Sequence, residues 1–403
     1  MLDTRDQTTC VAGVNARRSP GPGGSGGRES HPATPPTALP PHHPPSEGKT
    51  AESLEEFLHA TRFDPDDPAA LGDMLRALIE CGYDRAPFLA LPGHGQTLIR
   101  WRALAAVAAC DLGLVKLFEG HTDALAVLAE LHGPVPPAAS RWAVWAAEPP
   151  DARVQVLNVD KVGIRSEEGQ VRLMGTKAWC SGARSVSHAL VTAWLHDEPV
   201  LVAVAMDQAS IAIDTSKWRA VGMQATASAD VSFDGTPAAL VGAPHAYVRR
   251  PGFWHGGAGI AACWYGAAAQ IGRTLRDACA QRADPHRLAH LGAVEVALQA
   301  AAAVLRETAA HIDANPLADA QREAMRARLV VEEAATAVMH HATRALGAGP
   351  LCRDARFARA LADLPVFLRQ SHAERDLAAL GEWVASGHGG DTPTYGGSAP
   401  WTL

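Results

Sequence analysis

Residues 175–195, which read GTKAWCSGARSVSHALVTAWL, decide how the rest of the chain is interpreted. Trp179 and Ser181 stand near the end of a first segment, a small-residue turn follows at Gly182, and residues 188–195 are rich in Ala, Val and Leu. This pattern predicts two strands joined by a tight turn. The end of the first strand would offer an indole and a hydroxyl to a flat aromatic ligand, although an ordinary hairpin with a half-buried tryptophan fits the same spacing.

The composition indicates a globular chain of two or three domains. It has 403 residues, of which 47% are hydrophobic and 20% charged, enough to bury a large core. A formal net charge of -7, without a basic stripe between aromatic residues, argues against nucleic acid as a partner. No apolar run approaches the roughly 20 residues needed to cross a bilayer. The seven cysteines include no Cys-x-x-Cys pair, which predicts reduced thiols and a cytoplasmic location.

Changes in apolar periodicity divide the chain into segments. Residues 1–50, rich in Pro, Gly, Ser and His, predict a disordered leader. His42 and His43 in that leader lack further ligands, so we predict no metal site there. Helical periodicity over residues 51–134 predicts an N-terminal helical domain. Short β-type runs over residues 135–250 predict a middle β-sandwich or barrel.

Helical periodicity returns after the β segment. Four helical stretches within residues 251–386 predict a C-terminal four-helix bundle. The glycine-rich residues 387–403 predict a flexible tail. The predicted fold class is therefore α+β, with a helical domain, a β domain and a helical bundle in chain order.

Three ordered motifs resemble the acyl-CoA dehydrogenase superfamily. Residues 175–183 match its flavin strand, G-x-K-x-W-I-[ST]-[NG]-[GA], and residues 142–149, WAVWAAEP, resemble its first flavin strand. Residues 218–235 resemble its G-M-R-x-T-x-S-x-D-V-x-F-D stretch. The resemblance implies FAD as the cofactor, with Trp179 packed on the isoalloxazine and the Ser181 hydroxyl bonded to its N5 and O4 edge.

The resemblance also implies more distant flavin contacts. Trp145 and Ala147 lie on the first flavin strand. Arg282 follows the first bundle helix, where the family places an arginine over the pyrophosphate, and bidentate guanidinium bonds suit that role. Gly347 and Gly349 fall in a turn similar to Q-x-x-G-G-x-G, although such a turn also ends ordinary helices. In the family, Arg282 and this turn would serve a neighbouring subunit's flavin, which implies a homodimer or homotetramer.

The sequence departs from the family where catalysis is concerned. The dehydrogenase glutamate would fall within residues 366–372, which read VFLRQSH, and Gln224 replaces the substrate-side arginine. The first flavin loop, residues 148–153, also differs. A base is still needed to remove the α-proton of a thioester. The candidates for this base are His255 and His372. His255 falls near the position on the first bundle helix where some members place their base, and His372 lies near the last bundle helix.

Two reactions and one binding role follow as interpretations. The main one is an FAD-dependent acyl-CoA dehydrogenase-like oxidoreductase that acts on the CH–CH group of an acyl thioester and passes electrons to an acceptor. The alternative is a flavin monooxygenase of the same fold, supplied by a flavin reductase, which would use histidines near the positions of His121 and His372. A redox-inactive acyl or flavin binder is the third, but it gives no reason for Trp179 and Ser181 to occur together.

Overall fold

The computed structural model describes residues 50–157 and 169–386. The predicted tail at 387–403 and the predicted leader, except Thr50, lie outside the described residues, as do His42 and His43. Four helices precede the sheet in the described part: α1 (Ala51–Ala60), α2 (Pro68–Glu80), α3 (Thr97–Cys110) and α4 (Leu112–Glu130). Asp67 caps α2 and Asp111 caps α4, because each carboxylate accepts a backbone N–H from the first turn.

Strands follow α4 and form one sheet that closes on itself. In the described residues they are β1 (Trp142–Trp145), β2 (Val154–Leu157), β3 (Gln170–Cys180), β4 (His188–Leu195), β5 (Glu198–Ala205), β6 (Ile211–Asp214) and β7 (Ala229–Val241). The neighbour order is β1-β4-β2-β3-β7-β5, β5 pairs back to β4, and β6 adds to β7. The pair Gln155 and Trp194 joins β2 to β4. The strands from β4 through β2, β3, β7 and β5 therefore form a closed ring.

Helices return after the sheet and continue to the end of the described chain. They are α5 (Ala246–Arg249), α6 (Gly252–Gln281), α7 (Pro285–Ala314), α8 (Gln321–Leu346), α9 (Ala348–Arg353), α10 (Ala355–Leu368) and α11 (Glu374–Ala385). Helix α6 packs against α3, α7, α8 and α10. Gly266 permits the close approach of α6 to α3, because a Cβ there would lie 2.1 Å from the carbonyl oxygen of Ala105.

The described residues form three clusters of buried hydrophobic side chains. One large cluster joins the N-terminal helices to the C-terminal ones and includes Trp101 on α3 and Trp264 on α6. A second fills the ring of strands, with Phe233 and Val202 among its members. A third lies between α4 and the sheet and includes Trp142. Helix α4 thus packs against both the helical core and the sheet.

Helix α7 corrects one expectation from the sequence. It is 30 residues long, its mean hydropathy reaches 1.7 over an 18-residue window, and 22% of that window is buried. By length and composition it could cross a membrane, whereas the sequence suggested no such run. A single helix of this kind is weak evidence for a span, since core helices of soluble proteins pass the same test.

Candidate functional site

Trp179 stands at an irregularity near the end of β3. Lys177 pairs with Val231 and Cys180 with Ala229, so β3 advances three residues while β7 advances two. This extra residue makes a β-bulge, and Trp179 has a φ of +59°. Its side chain is 60% exposed. A bulky residue in the left-handed region is strained, and such strain concentrates at functional sites.

The Ser181 hydroxyl ends a chain of three hydroxyl groups. Ser181 Oγ lies 2.9 Å from Ser228 Oγ, which lies 2.9 Å from Thr226 Oγ1. Thr226 Oγ1 donates to the carbonyl oxygen of Met223 at 2.7 Å. Trp145 Nε1 donates to the carbonyl oxygen of Ser181 at 3.1 Å. The structure therefore brings two of the predicted flavin residues, Trp145 and Ser181, into direct contact.

The far end of this hydroxyl chain is fixed by α10. Asp363 Oδ1 accepts the backbone N–H of Met223 at 2.5 Å, and Met223 has a φ of +57°. Asp363 is 5% exposed, and burial raises the pKa of its carboxyl to about 6. The resemblance had singled out residues 218–235, which contain Thr226 and Ser228, but no local signal pointed to Asp363.

Asp363 also lines a cavity of about 170 Å³ between the α3–α4 junction, α6 and α10. Its lining includes Cys110, Gln270 and Arg356 but neither Trp179 nor Ser181. We therefore assign the candidate site to the exposed indole and the hydroxyl chain, where the strained backbone and the directed polar groups lie, rather than to this cavity.

Lys177, which follows Gly175 in the flavin-strand motif, has a structural role. Its side chain is fully buried, and its Nζ lies 2.5 Å from Glu148 Oε1 and 2.7 Å from Thr192 Oγ1. Glu148 Oε2 also accepts Trp194 Nε1 at 2.6 Å. Desolvation opposes ionisation of Glu148, yet the hydrogen bonds from Lys177, Trp194 and Thr192 together lower its pKa. Lys177 thus ties the loop after β1 to β3 and β4.

His121 is buried between three parts of the fold. It is 1% exposed on α4. Its Nε2 lies 3.1 Å from Asp84 Oδ2, and its Nδ1 accepts the backbone N–H of Trp142 at 3.2 Å. Because Nδ1 accepts, Nε2 carries the proton and donates to Asp84. Both ring nitrogens are engaged, so the structure places His121 as a link between α4, the loop before α3 and β1.

His255 lies in the first turn of α6 and is 2% exposed. Its Nε2 has no hydrogen-bond partner in the described residues. The ring borders a cavity of about 10 Å³ that is also lined by Arg100, Glu119 and Asp123. Desolvation by this burial lowers the pKa of His255, because it disfavours the protonated ring.

His372 lies in the turn between α10 and α11. Its side chain is 59% exposed, and its Nδ1 lies 3.4 Å from Asp376 Oδ1. Buried Arg328 on α8 connects this turn to α6, because its two terminal nitrogens donate to the carbonyl oxygens of Gln370 and Gly257. Arg328 therefore couples the turn that carries His372 to the helix that carries His255. Sequence analysis missed Arg328, since a lone arginine inside a helix has no distinctive pattern.

The remaining predicted residues are half-buried or exposed. Ala147 is half-buried just after β1. Arg282, at the end of α6, is exposed, as are Gly347 between α8 and α9 and Gly349, which lies inside α9 and not in the predicted turn. Nothing lies within 4 Å of where a Cβ would be on either glycine. Gln224 is exposed beside Met223. Within residues 50–157 and 169–386, no group of three or more His, Cys, Asp or Glu side chains could hold a metal ion.

Comparison with known proteins gives relatives in structure only. No protein-family model and no curated protein matches the chain. TdsC from Paenibacillus sp. A11-2, solved with FMN and indole, matches with a TM-score of 0.68 at 18% identity, over 83% of this chain and 96% of that chain. The methanesulfinate monooxygenase MsuC from Pseudomonas fluorescens matches with a TM-score of 0.67 at 18% identity, over 83% of this chain and 96% of that chain.

A third match is a steroid ACAD, Tcur3481-Tcur3483. It has a TM-score of 0.61 at 19% identity and covers 85% of this chain and 94% of that chain. At these identities the likeness shows a shared fold. The order of helices, closed sheet and helices in this chain is thus an arrangement found in solved proteins named as monooxygenases and as a dehydrogenase.

Proposed function

We propose that this chain, which has the acyl-CoA dehydrogenase fold, is a flavin-dependent oxidoreductase whose ring site is built on Trp179 and Ser181. A planar ring would cover the exposed indole, and the half-buried Ser181 hydroxyl would meet its polar edge. A bound flavin supplies redox chemistry that amino-acid side chains lack. FAD is the cofactor implied by the resemblance, and FMN, which TdsC was solved with, carries the same ring.

For the reaction, we favour oxygenation by a flavin that a partner reductase has reduced. The observation that carries this proposal is the turn between α10 and α11, residues 369–373, which reads RQSHA and offers His372 instead of a carboxylate. His372 is exposed and paired with Asp376, so it can exchange a proton with a substrate and with water. His121 would act as a positioning residue, because both its nitrogens are engaged.

Dehydrogenation of an acyl thioester is the second candidate, and His255 is the observation that favours it. Its Nε2 has no hydrogen-bond partner in the described residues, so it is available to accept an α-proton. The adjoining cavity of about 10 Å³ is scarcely large enough for one water. A thioester could therefore reach His255 only if α3, α4 and α6 moved apart.

One experiment separates the two reactions. The purified protein should bind added FAD or FMN. With chemically reduced flavin and oxygen it should oxidise a small-molecule substrate. His372→Ala should lower that oxidation by roughly 10²-fold, the usual contribution of a proton-transfer group, while His255→Leu should leave it largely intact. Rapid anaerobic bleaching of the bound flavin by an acyl-CoA, lost in His255→Leu, would instead establish the dehydrogenase. Absence of flavin binding would reject both.

We also propose that the protein is a homodimer or homotetramer. The apolar face of α7 supports this, since Val296 is 71% exposed and Leu288 48% exposed on it. Arg282, just before α7, and the Gly347 turn are exposed in a single chain and would be available to the flavin of a second copy. Light scattering should give a multiple of 42.3 kDa, and a monomer with full flavin content would contradict the proposal.

A further inference from the structure

The hydroxyl chain behind Ser181 has a fixed direction. A carbonyl oxygen can only accept a hydrogen bond, so Thr226 must donate its single hydroxyl proton to the carbonyl oxygen of Met223. Thr226 Oγ1 then has to accept in its contact with Ser228, which makes Ser228 the donor there. With its own proton used, Ser228 Oγ accepts from Ser181. The proton of Ser181 therefore points inward, away from the exposed indole.

The surroundings keep this direction from reversing. Thr226 is 1% exposed and Ser228 3% exposed, so water does not reach them to offer other partners. Met223, which ends the chain, is held from the other side because Asp363 accepts its backbone N–H. Ser181 is half-buried and is the member of the chain nearest to solvent. What Ser181 presents outward is a lone pair.

We propose that Ser181 is a hydrogen-bond acceptor toward the ligand, and that the site consequently binds the reduced flavin ring more tightly than the oxidised ring. The inference rests on the proposed flavin function and deepens it. Nitrogen N5 carries a hydrogen in the reduced ring and a lone pair in the oxidised ring. An outward lone pair on Ser181 complements the first and repels the second. Such a preference suits an enzyme that receives its flavin already reduced.

Two variants of the full-length protein should free the Ser181 hydroxyl to donate toward the ligand. Both substitutions are small, so neither should create a large cavity. Thr226→Val removes the acceptor of the Ser228 proton, which can then turn to Ser181 and let Ser181 donate outward. Ser228→Ala removes the acceptor of the Ser181 proton directly. Ser232→Ala is the matched control, because Ser232 on β7 forms the same kind of hydroxyl pair with Thr176 on β3 at 2.9 Å and has no link to Ser181 among the described contacts.

The measurements are the dissociation constant of oxidised FMN or FAD, from flavin fluorescence, and the midpoint potential of the bound flavin, from anaerobic equilibration with reference dyes. Together they give the ratio of oxidised to reduced dissociation constants. We expect Thr226→Val and Ser228→Ala to lower that ratio by roughly tenfold relative to the wild type and to Ser232→Ala. For a two-electron couple this corresponds to a midpoint potential about 30 mV more negative.

The outcomes separate the inference from the function on which it rests. An unchanged or increased ratio in both variants, with flavin still bound, would overturn the acceptor role of Ser181 and leave the flavin function standing. Failure of the wild type to bind flavin in either redox state would overturn the function itself. If one variant does not fold, the other gives the same test, because each breaks the chain at a different link.

Discussion

The sheet and the helical layer treat their buried polar groups in opposite ways. Lys177, fully buried in β3, donates to Glu148 and to both the hydroxyl and the carbonyl of Thr192. His255, 2% exposed on α6, leaves Nε2 without a partner in the described residues, and Arg250 likewise has a buried Nε without one. One buried group is saturated with bonds, and the other is not.

This difference separates a residue whose hydrogen bonds all lie inside the fold from one that could still bind a partner. An unsatisfied buried polar group costs about 1–3 kcal/mol, so a protein rarely keeps one without a use for it. Lys177 makes all its bonds inside the fold, which leaves no capacity for a ligand. His255 has capacity to spare beside a small cavity. The Lys177 side chain of β3 is thus structural, whereas His255 keeps one ring nitrogen available for a hydrogen bond.

Among these variants, Lys177→Met should lower the free energy of unfolding most. It leaves the Glu148 carboxylate, whose side chain is 33% exposed, without its cation and the Thr192 carbonyl without this donor, which should cost about 1–3 kcal/mol. Denaturant unfolding should show this as a lower free energy of unfolding. The double variant Lys177→Met with Glu148→Gln should recover part of the loss. A cost below about 1 kcal/mol would contradict the role assigned to the pair.

Asp363→Asn should make the free energy of unfolding less dependent on pH. Burial raises the pKa of Asp363 from 3.8 to about 6, despite Arg359, and with Asp111 and Asp66 acting in the same direction as burial. Between these values the folded state holds a proton that the unfolded chain releases. The free energy of unfolding therefore falls as pH rises from about 4 to about 6, by up to about 3 kcal/mol.

In the Asn variant the contribution of Asp363 to that fall should be absent, since the amide oxygen still accepts the Met223 N–H but cannot ionise, whereas buried Asp111 and Glu119, whose pKa values burial also raises, still contribute. Urea unfolding at intervals of half a pH unit would measure it. Equal slopes for the two proteins over this range would mean that Asp363 titrates normally.

Trp179→Ala should weaken flavin binding by about fivefold or more, because a stacked aromatic contact is worth about 1 kcal/mol beyond its area. Stability should hardly change, since the indole is 60% exposed. Leu317→Ala, another exposed apolar residue, is the control and should bind flavin normally. Flavin titration and thermal unfolding of the two variants provide the comparison. Equal flavin affinity in Trp179→Ala and the control would remove the indole from the site.

His255→Leu should change the free energy of unfolding much less than Lys177→Met does. The change removes a polar atom that has no partner, so the free energy of unfolding should shift by less than about 1 kcal/mol or rise. Set beside Lys177→Met, it tests the contrast directly. A loss as large as that of the lysine variant would show that His255 is paired in the folded protein.

The sequence predicted what local periodicity encodes and missed what tertiary contact creates. The helix, strand and helix order, and the position of Trp179 and Ser181 at the end of a strand, follow from patterns within a few residues of each other. Asp363 and Met223 are 140 positions apart, and nothing near either residue indicates the other. His121 was predicted as catalytic on position alone, whereas its bonds to Asp84 and Trp142 exist only in the fold.

The closed ring of strands has a consequence for how the chain is made. Strand β3 pairs along β7, from Gln170 opposite Ala239 to Cys180 opposite Ala229, so the ring cannot close before residue 241 is synthesised. Helix α4 ends at Glu130, and at 5–20 residues per second the ribosome needs roughly 5–20 s to supply the missing strands. During that interval the side of α4 that later packs on Leu190, Leu201 and Val241 of the sheet is an uncovered apolar surface.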